Sequence, residues 1–228
     1  MINIVLDIIN YILVAILIGV SATWIALIKS MLRTFNESPF LDKFEKKEHA
    51  SPKVSIILPA RNEEKFIEKC LDSLIKQDYD NYEIVTINDS SNDATGDIIK
   101  KYSKKFPKVI SVDAKPKPDG WIGKNWACIE GYKKASGDLL LFTDADTVHT
   151  SSVISLAVSH LLSLELDALT VIPRMLCLDK ITKITLPMIS TFLHTRFSAL
   201  RVNDTSKGTG YFFGSFFIIK KSTYDSVG

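Results

Sequence analysis

Two signatures of nucleotide-handling proteins are absent from this sequence. No G-x-G-x-x-G follows its first apolar strand pattern, and no G-x-x-x-x-G-K-[ST] occurs anywhere. The usual dinucleotide oxidoreductase and the P-loop NTPase are thereby set aside. Cysteine is scarce. Cys70, Cys128 and Cys177 stand far apart, in neither metal-ligand nor redox spacing, and fit reduced core thiols in a cytosol-facing domain. His49, His149, His160 and His194 are equally scattered, which removes a zinc site. Neither sign of charge dominates: a formal +2 over 228 residues is no electrostatic footprint, so no nucleic-acid partner is expected. Internal repeats and low-complexity segments are also missing.

What is present begins with a long apolar run. Residues 8–28 carry no charged side chain. As a helix the run measures ~31 Å, enough to cross the hydrocarbon core of a bilayer. Only Asp7 is charged before it, so the positive n-region of a cleaved signal is lacking. Basic residues follow instead, at Lys29, Arg33, Lys43, Lys46 and Lys47. The positive-inside rule then places everything after Lys29 in the cytoplasm. Residues 1–30 are therefore expected to be a single-pass anchor in the cell membrane. Residues 31–53, polar and mixed in charge with Pro39 and Pro52, read as a juxtamembrane linker with a short amphipathic piece over 40–44.

From residue 54 the pattern alternates between strands and helices. Apolar runs over 54–58, 82–87, 109–112, 138–142 and 168–172 predict strands, the first closed by Pro59. Apolar residues at helical spacing predict helices over 64–77, over 124–135 and over 151–164 and a further one marked by Ile98, Ile99, Tyr102 and Phe106, with Asn62 and Ser151 or Ser152 as N-caps. The order argues for an open, mostly parallel sheet with helices on both faces, an α/β fold. Residues 181–200 read as a helix kinked or split at Pro187, and 211–219 as an aromatic strand.

Ligands of such sheets bind outside the carboxyl ends of the strands. There the first strand delivers Pro59, Ala60, Arg61, Asn62, Glu63 and Glu64, and the second Asn88, Asp89 and Asp93. The fourth delivers Asp144, Ala145 and Asp146. Glu64 and Asp93 read as ordinary first-turn acids of helices. Asp144 and Asp146 stand several residues before the next helix and follow a hydrocarbon strand. Two carboxylates one residue apart suit a hard divalent cation, Mg²⁺ or Mn²⁺, which completes its shell with phosphate oxygens and water. Lys124 opens a helix, where its charge opposes the dipole and implies a nearby anion. Trp121 and Trp126 flank it and read as core residues, with packing over a bound ligand as the alternative.

PARNEE (59–64), NDSSNDAT (88–95), GKNWA (123–127) and TDAD (143–146), in that order, resemble the family 2 glycosyltransferases of the GT-A fold. The resemblance covers about residues 54–228. WIGKNWACIEGY and LLLFTDADTVH are most similar to the branch near carotenoid and hopanoid-associated enzymes, which act on lipid acceptors. It implies that Pro59, Ala60, Arg61 and Glu63 line the pocket for the nucleotide base and that Asp89 binds base or ribose. Lys124 would stand near the nucleotide, Asp144 with its neighbour Ala145 near ribose or metal, and Asp146 on the metal. It also implies an inverting transfer from a nucleotide-diphosphate sugar to a lipid or polyprenyl acceptor, with one carboxylate as general base. In the family that base belongs to an acidic pair some residues beyond the part resembling GSFFIIKKSTYDSVG. It is expected past Gly228, so 54–228 is expected to be a GT-A domain incomplete at its C-terminus. Asp225, placed at a helix start, is not that base, and Asp204 is only a weak acceptor-side candidate.

The alternative is a non-catalytic, membrane-tethered module that binds a nucleotide sugar. A nucleotidyltransferase would also use the carboxylates but leaves the 88–95 pattern unexplained. Seven lysines between Lys100 and Lys117, opposed only by Asp113, read as a solvated face, or else as attracted to anionic headgroups. The 181–200 helix reads equally as a core or partner-facing helix and as one lying at the bilayer interface.

Overall fold

A computed structural model describes residues 2–37, 40–43, 51–177 and 179–227. These fall into two compact units, one formed by the N-terminal helix with Met175–Tyr211, the other by Phe40–Arg174 with Phe212–Gly228.

In the second unit six strands, β1 (Val54–Ala60), β2 (Tyr82–Asn88), β3 (Val109–Asp113), β4 (Leu139–Thr143), β5 (Ala168–Thr170) and β6 (Phe216–Lys220), form one sheet in the order β3-β2-β1-β4-β6-β5. The first four run parallel. β6 enters antiparallel between β4 and β5, a reversal that local apolar patterning cannot reveal. The fold is the expected α/β arrangement, a mostly parallel sheet between helices. Pro59 lies inside β1 rather than ending it. It falls beyond the last β1–β4 pair, where the strand has an open side and the missing N–H is tolerated.

Alternation along β1 supplies both faces. Ile56 and Leu58 join Ile67, Leu71, Leu74, Ile99, Ile154 and Leu161 in one fully buried layer. These come from α2 (Ile67–Leu74), α3 (Thr95–Lys105) and α5 (Val153–Ser163). Ile57 points the other way, with Val85, Ile87, Ala127 and Leu140, under α4 (Gly123–Tyr132) and against Tyr224 of α8 (Lys221–Val227). Gly131 lets α4 approach closely: a Cβ there would meet Ile87 Cδ1 at 2.5 Å and Ile57 Cγ2 at 2.8 Å. Asp225 lies inside α8, not at its start, and accepts a hydrogen bond from Tyr132 Oη at 2.5 Å that ties α8 to α4.

The amino ends of the strands are closed by a buried carboxylate. Glu83 accepts from Ser55 Oγ (2.6 Å), the Ser136 N–H (2.7 Å) and Lys53 Nζ (2.6 Å). Burial alone would raise its pKa, but these partners outweigh burial and hold it down at about 2.

Several expected local roles differ. Asn62 does not cap α2, which starts at Ile67 with Phe66 at the cap position. Ser152 stands at the cap of α5 without a side-chain bond, and the Ile154 N–H donates to Gln77 Oε1 (3.3 Å) instead. Of the aromatic 211–219 segment only Phe216 onward is strand. Thr170 Oγ1 accepts from the Phe213 N–H (2.9 Å), holding that stretch as a loop against β5.

In the first unit α1 (Ile2–Glu37), whose most apolar 18-residue stretch has a mean hydropathy of 2.4, is long and apolar enough to cross a membrane. It runs past Ser30 into the stretch expected to be linker, closing with an Arg33–Glu37 pair one turn apart. Leu41–Lys43 forms one 3₁₀ turn, and the rest of the expected linker up to residue 50 lies outside the described residues. The segment Met175–Tyr211 holds α6 (Lys180–Phe197) and α7 (Ala199–Val202). Pro187 stands inside α6 without splitting it, and the break falls at Ser198, whose backbone is extended.

Candidate nucleotide-sugar site

The carboxyl ends of β1, β2 and β4 open on a cleft of about 330 Å³. Its walls include Pro59, Ala60, Arg61, Glu63, Asp89, Lys124, Asp144, Ala145 and Asp146. Every residue expected at the site therefore borders one cavity. Gly123 and Ala127 border it as well, and sequence reading passed over them because small residues carry no chemistry of their own. A Cβ on Gly123 would stand 3.5 Å from Asp89 Oδ2.

The loops after β1 and β2 hold each other. Asn62, at φ 57°, donates its N–H to Ser91 Oγ (3.1 Å) and accepts from the Asn92 N–H (2.9 Å). The Glu63 N–H donates to Thr95 Oγ1 (2.8 Å). The Glu64 N–H donates to Asp93 Oδ2 (3.2 Å), and Glu64 Oε2 accepts from the Ala94 N–H (3.1 Å). Glu64 and Asp93 thus serve the start of α3. This lacing leaves the Glu63 and Asp89 side chains on the cleft. Arg61 Nη1 lies 3.8 Å from Asp89 Oδ2, and the arginine is well exposed while the aspartate is largely covered.

Beyond β4 the chain turns with the Thr147 N–H on the Asp144 carbonyl (3.2 Å). Ala145 points inward and is buried, which leaves the two flanking aspartates on the cleft side. Thr143 anchors the turn by donating to the Ser215 carbonyl (2.8 Å). Its hydrogen being spent there, His149 Nε2 at 3.1 Å must be the donor to Thr143 Oγ1. Burial pushes His149 down to about 4, so it stays neutral at physiological pH.

Charges of both signs meet in the cleft. Lys124 Nζ reaches Asp144 Oδ1 at 2.5 Å, the anion that its unfavourable place at a helix start implied. The Glu63 carboxyl is held above its ordinary range, first by burial and then by Asp146, Asp144 and Asp93. Trp121 and Trp126 pack edge to face with centroids 5.4 Å apart, and Trp126 Nε1 donates to the Lys115 carbonyl. Neither tryptophan borders the cleft.

A parallel sheet with acids and a lysine at its carboxyl ends defines an α/β protein built to hold a charged ligand at that edge. The chain belongs to glycosyl transferase family 2, whose family model matches residues 55–228. It is 33% identical over 140 residues to the probable glycosyltransferase YdaM of Bacillus subtilis, covering 57% of this chain and 33% of that protein. It is 38% identical over 109 residues to the 4,4'-diaponeurosporenoate glycosyltransferase of Staphylococcus haemolyticus, covering 47% and 28%. The chain thus spans a third or less of the length of these curated relatives. Among solved structures, the mannosyltransferase PcManGT from Pyrobaculum calidifontis, in complex with GDP-Man and Mn²⁺, superposes with a TM-score of 0.63 at 20% identity. That superposition covers 92% of this chain and 57% of the other, and it supports the fold.

Proposed function

We propose that this chain forms the donor-binding part of a membrane-anchored, inverting glycosyltransferase that moves a sugar from a nucleotide-diphosphate donor to a lipid or polyprenyl-type acceptor. The observation that carries the reading is the meeting of Glu63, Asp89, Asp144 and Asp146 with Lys124 in one cleft. Pro59, Ala60, Arg61 and Glu63 line the base pocket, and Asp89 takes base or ribose. Asp144 and Asp146 hold Mg²⁺ or Mn²⁺, with Lys124 and Arg61 supplying further positive charge for the diphosphate.

The donor set fits such an ion. It is all oxygen, and after burial the charges of Asp146 and Asp144 hold the Glu63 carboxyl above its ordinary range, a crowding of acids that a divalent cation would relieve. Among the described residues no three His, Cys, Asp or Glu side chains form a ready-made cage. That suits an ion that takes one or two carboxylates and fills the rest of its shell with phosphate and water. When bound, it would neutralise charge on the departing diphosphate. Competition for Asp144 would release the Lys124 ammonium toward the same phosphates. The acceptor hydroxyl attacks the anomeric carbon, the bond to the nucleoside diphosphate breaks, and a carboxylate base takes the hydroxyl proton.

α1 serves as the anchor, and Lys29 and Arg33 at its end favour a cytoplasmic domain. The similarity to a diaponeurosporenoate glycosyltransferase supports a lipid-type acceptor. Incubating the full chain in vesicles with nucleotide-diphosphate sugars, Mn²⁺ and polyprenyl phosphate or carotenoid acids tests the reading. Mn²⁺-dependent binding of at least one donor is expected, and binding of none would contradict the reading. Acceptor-dependent release of nucleoside diphosphate would exclude the non-catalytic module.

A further inference from the structure

α6 has apolar side chains on two sides. Leu186, Leu193 and Phe197 are half-buried, while Ile181, Ile184, Met188 and Phe192 are 67–74% exposed. The exposed four recur at i, i+3, i+7 and i+11, which places them along one stripe of the helix. None of the residues of α6 is buried. A helix apolar on two sides is ordinarily enclosed by protein or bathed in lipid.

Three features of the same unit select lipid. Ser30 Oγ of α1 lies 3.2 Å from His194 Nε2, so the end of α6 is pinned beside the point where the uncharged run of α1 gives way to Lys29 and Arg33. That is the level of a membrane–water boundary if α1 spans. The charge of the segment suits anionic headgroups: Lys180, Lys183, Arg196, Arg201 and Lys207 stand against Asp179 and Asp204. Both acids have local duties, Asp179 capping α6 by accepting from the Thr182 N–H (2.8 Å) and Asp204 accepting from the Ser206 N–H (3.1 Å). Finally, Lys180, Lys183, His194 and Arg196 near both ends of α6 disfavour burial across the hydrocarbon core.

We infer that α6 lies in the headgroup–acyl boundary of the membrane, with the Ile181, Ile184, Met188 and Phe192 stripe in lipid. This rests on the reading of α1 as an anchor. It makes Met175–Tyr211 a second membrane contact, set by an interfacial helix rather than by another span.

The test uses the full chain with Cys128→Ser and Cys177→Ser, reconstituted in phosphatidylcholine–phosphatidylglycerol vesicles. Cys70 can remain, since burial first and nearby carboxylates next push its thiol up to about 12. An environment-sensitive dye is placed at Met188→Cys or, off the stripe at an exposed basic position, at Lys183→Cys. Dye at 188 is expected to shift to the blue and to lose most of its emission to lipids brominated near the headgroup, while dye at 183 is less shifted and less quenched. Aqueous behaviour at both positions overturns the inference. A blue shift at 188 without bromolipid quenching overturns it too, because protein then covers the stripe. Strongest quenching by bromines at the bilayer centre means that α6 spans, and also contradicts it. An alkaline wash reports on α1 separately. Loss of the chain from the vesicles removes the anchor and the inference together, whereas retention with an aqueous 188 removes the inference alone.

Discussion

At the scale of single residues, the ion pair between Lys124 and Asp144 joins the start of α4 to the turn after β4 at 2.5 Å. Removing the ammonium takes positive charge from the proposed diphosphate and leaves Asp144 without its partner. Lys124→Ala is expected to weaken donor binding about tenfold or more, since hydrogen bonds to charged groups contribute ~1.5–3 kcal/mol. Equilibrium titration with a nucleotide sugar checks this, and Lys124→Arg should recover part of the loss. Glu83, at the other end of the sheet, concerns stability. Its folded pKa of about 2 lies below the ordinary carboxylate range, so its stabilisation is present at neutral pH and disappears as pH falls toward 2. Glu83→Gln should cost about 3 kcal/mol at pH 7, because Lys53 and Ser136 lose an anionic partner. It should also flatten the acid limb of a denaturation series while leaving donor affinity unchanged. The two residues were unequally legible in the sequence. Lys124 stood out against the helix dipole, whereas Glu83 looked like any polar position in a strand. Its partners Ser55 and Ser136 come from distant parts of the chain and meet only when β1, β2 and β4 pair.

At the scale of elements, α4 carries Lys124 at its first turn and crosses the sheet at Gly131. A larger side chain there must push the helix off Ile57 and Ile87. Gly131→Val should therefore destabilise the domain by about 1–3 kcal/mol and, by shifting α4, weaken donor binding as well. Thermal denaturation and ligand titration on the same sample separate this from Glu83→Gln, which should alter only the first. The parallel strands were legible because buried strands read as unbroken apolar runs. The strand ends were legible because carboxylates follow those runs directly. The antiparallel insertion of β6 was not, since apolar spacing carries no information about strand direction. Asn62 illustrates a second limit. A cap-type residue before a helical pattern suggests a helix start, but here its side chain bonds Asn92 across a loop thirty residues away.

At the scale of the whole molecule, the sheet brings motifs that are far apart in sequence to a single cleft, and the family match extends over the same residues. The grouping of Met175–Tyr211 with α1 rather than with the sheet was not legible, because apolar spacing does not say which partner a helix packs against. The central claim is that the cleft holds a nucleotide-diphosphate sugar through a metal at Asp146. Calorimetric titration of the full chain with UDP- and GDP-sugars, with and without Mn²⁺, tests it most directly when run beside Asp146→Asn. The wild-type chain should bind at least one donor in a Mn²⁺-dependent manner. The variant should lose about tenfold or more of that affinity with metal present, and equal the wild type when metal is withheld. Unchanged Mn²⁺-dependent binding in the variant would contradict the metal assignment, and no binding of any nucleoside-diphosphate sugar would contradict the site itself.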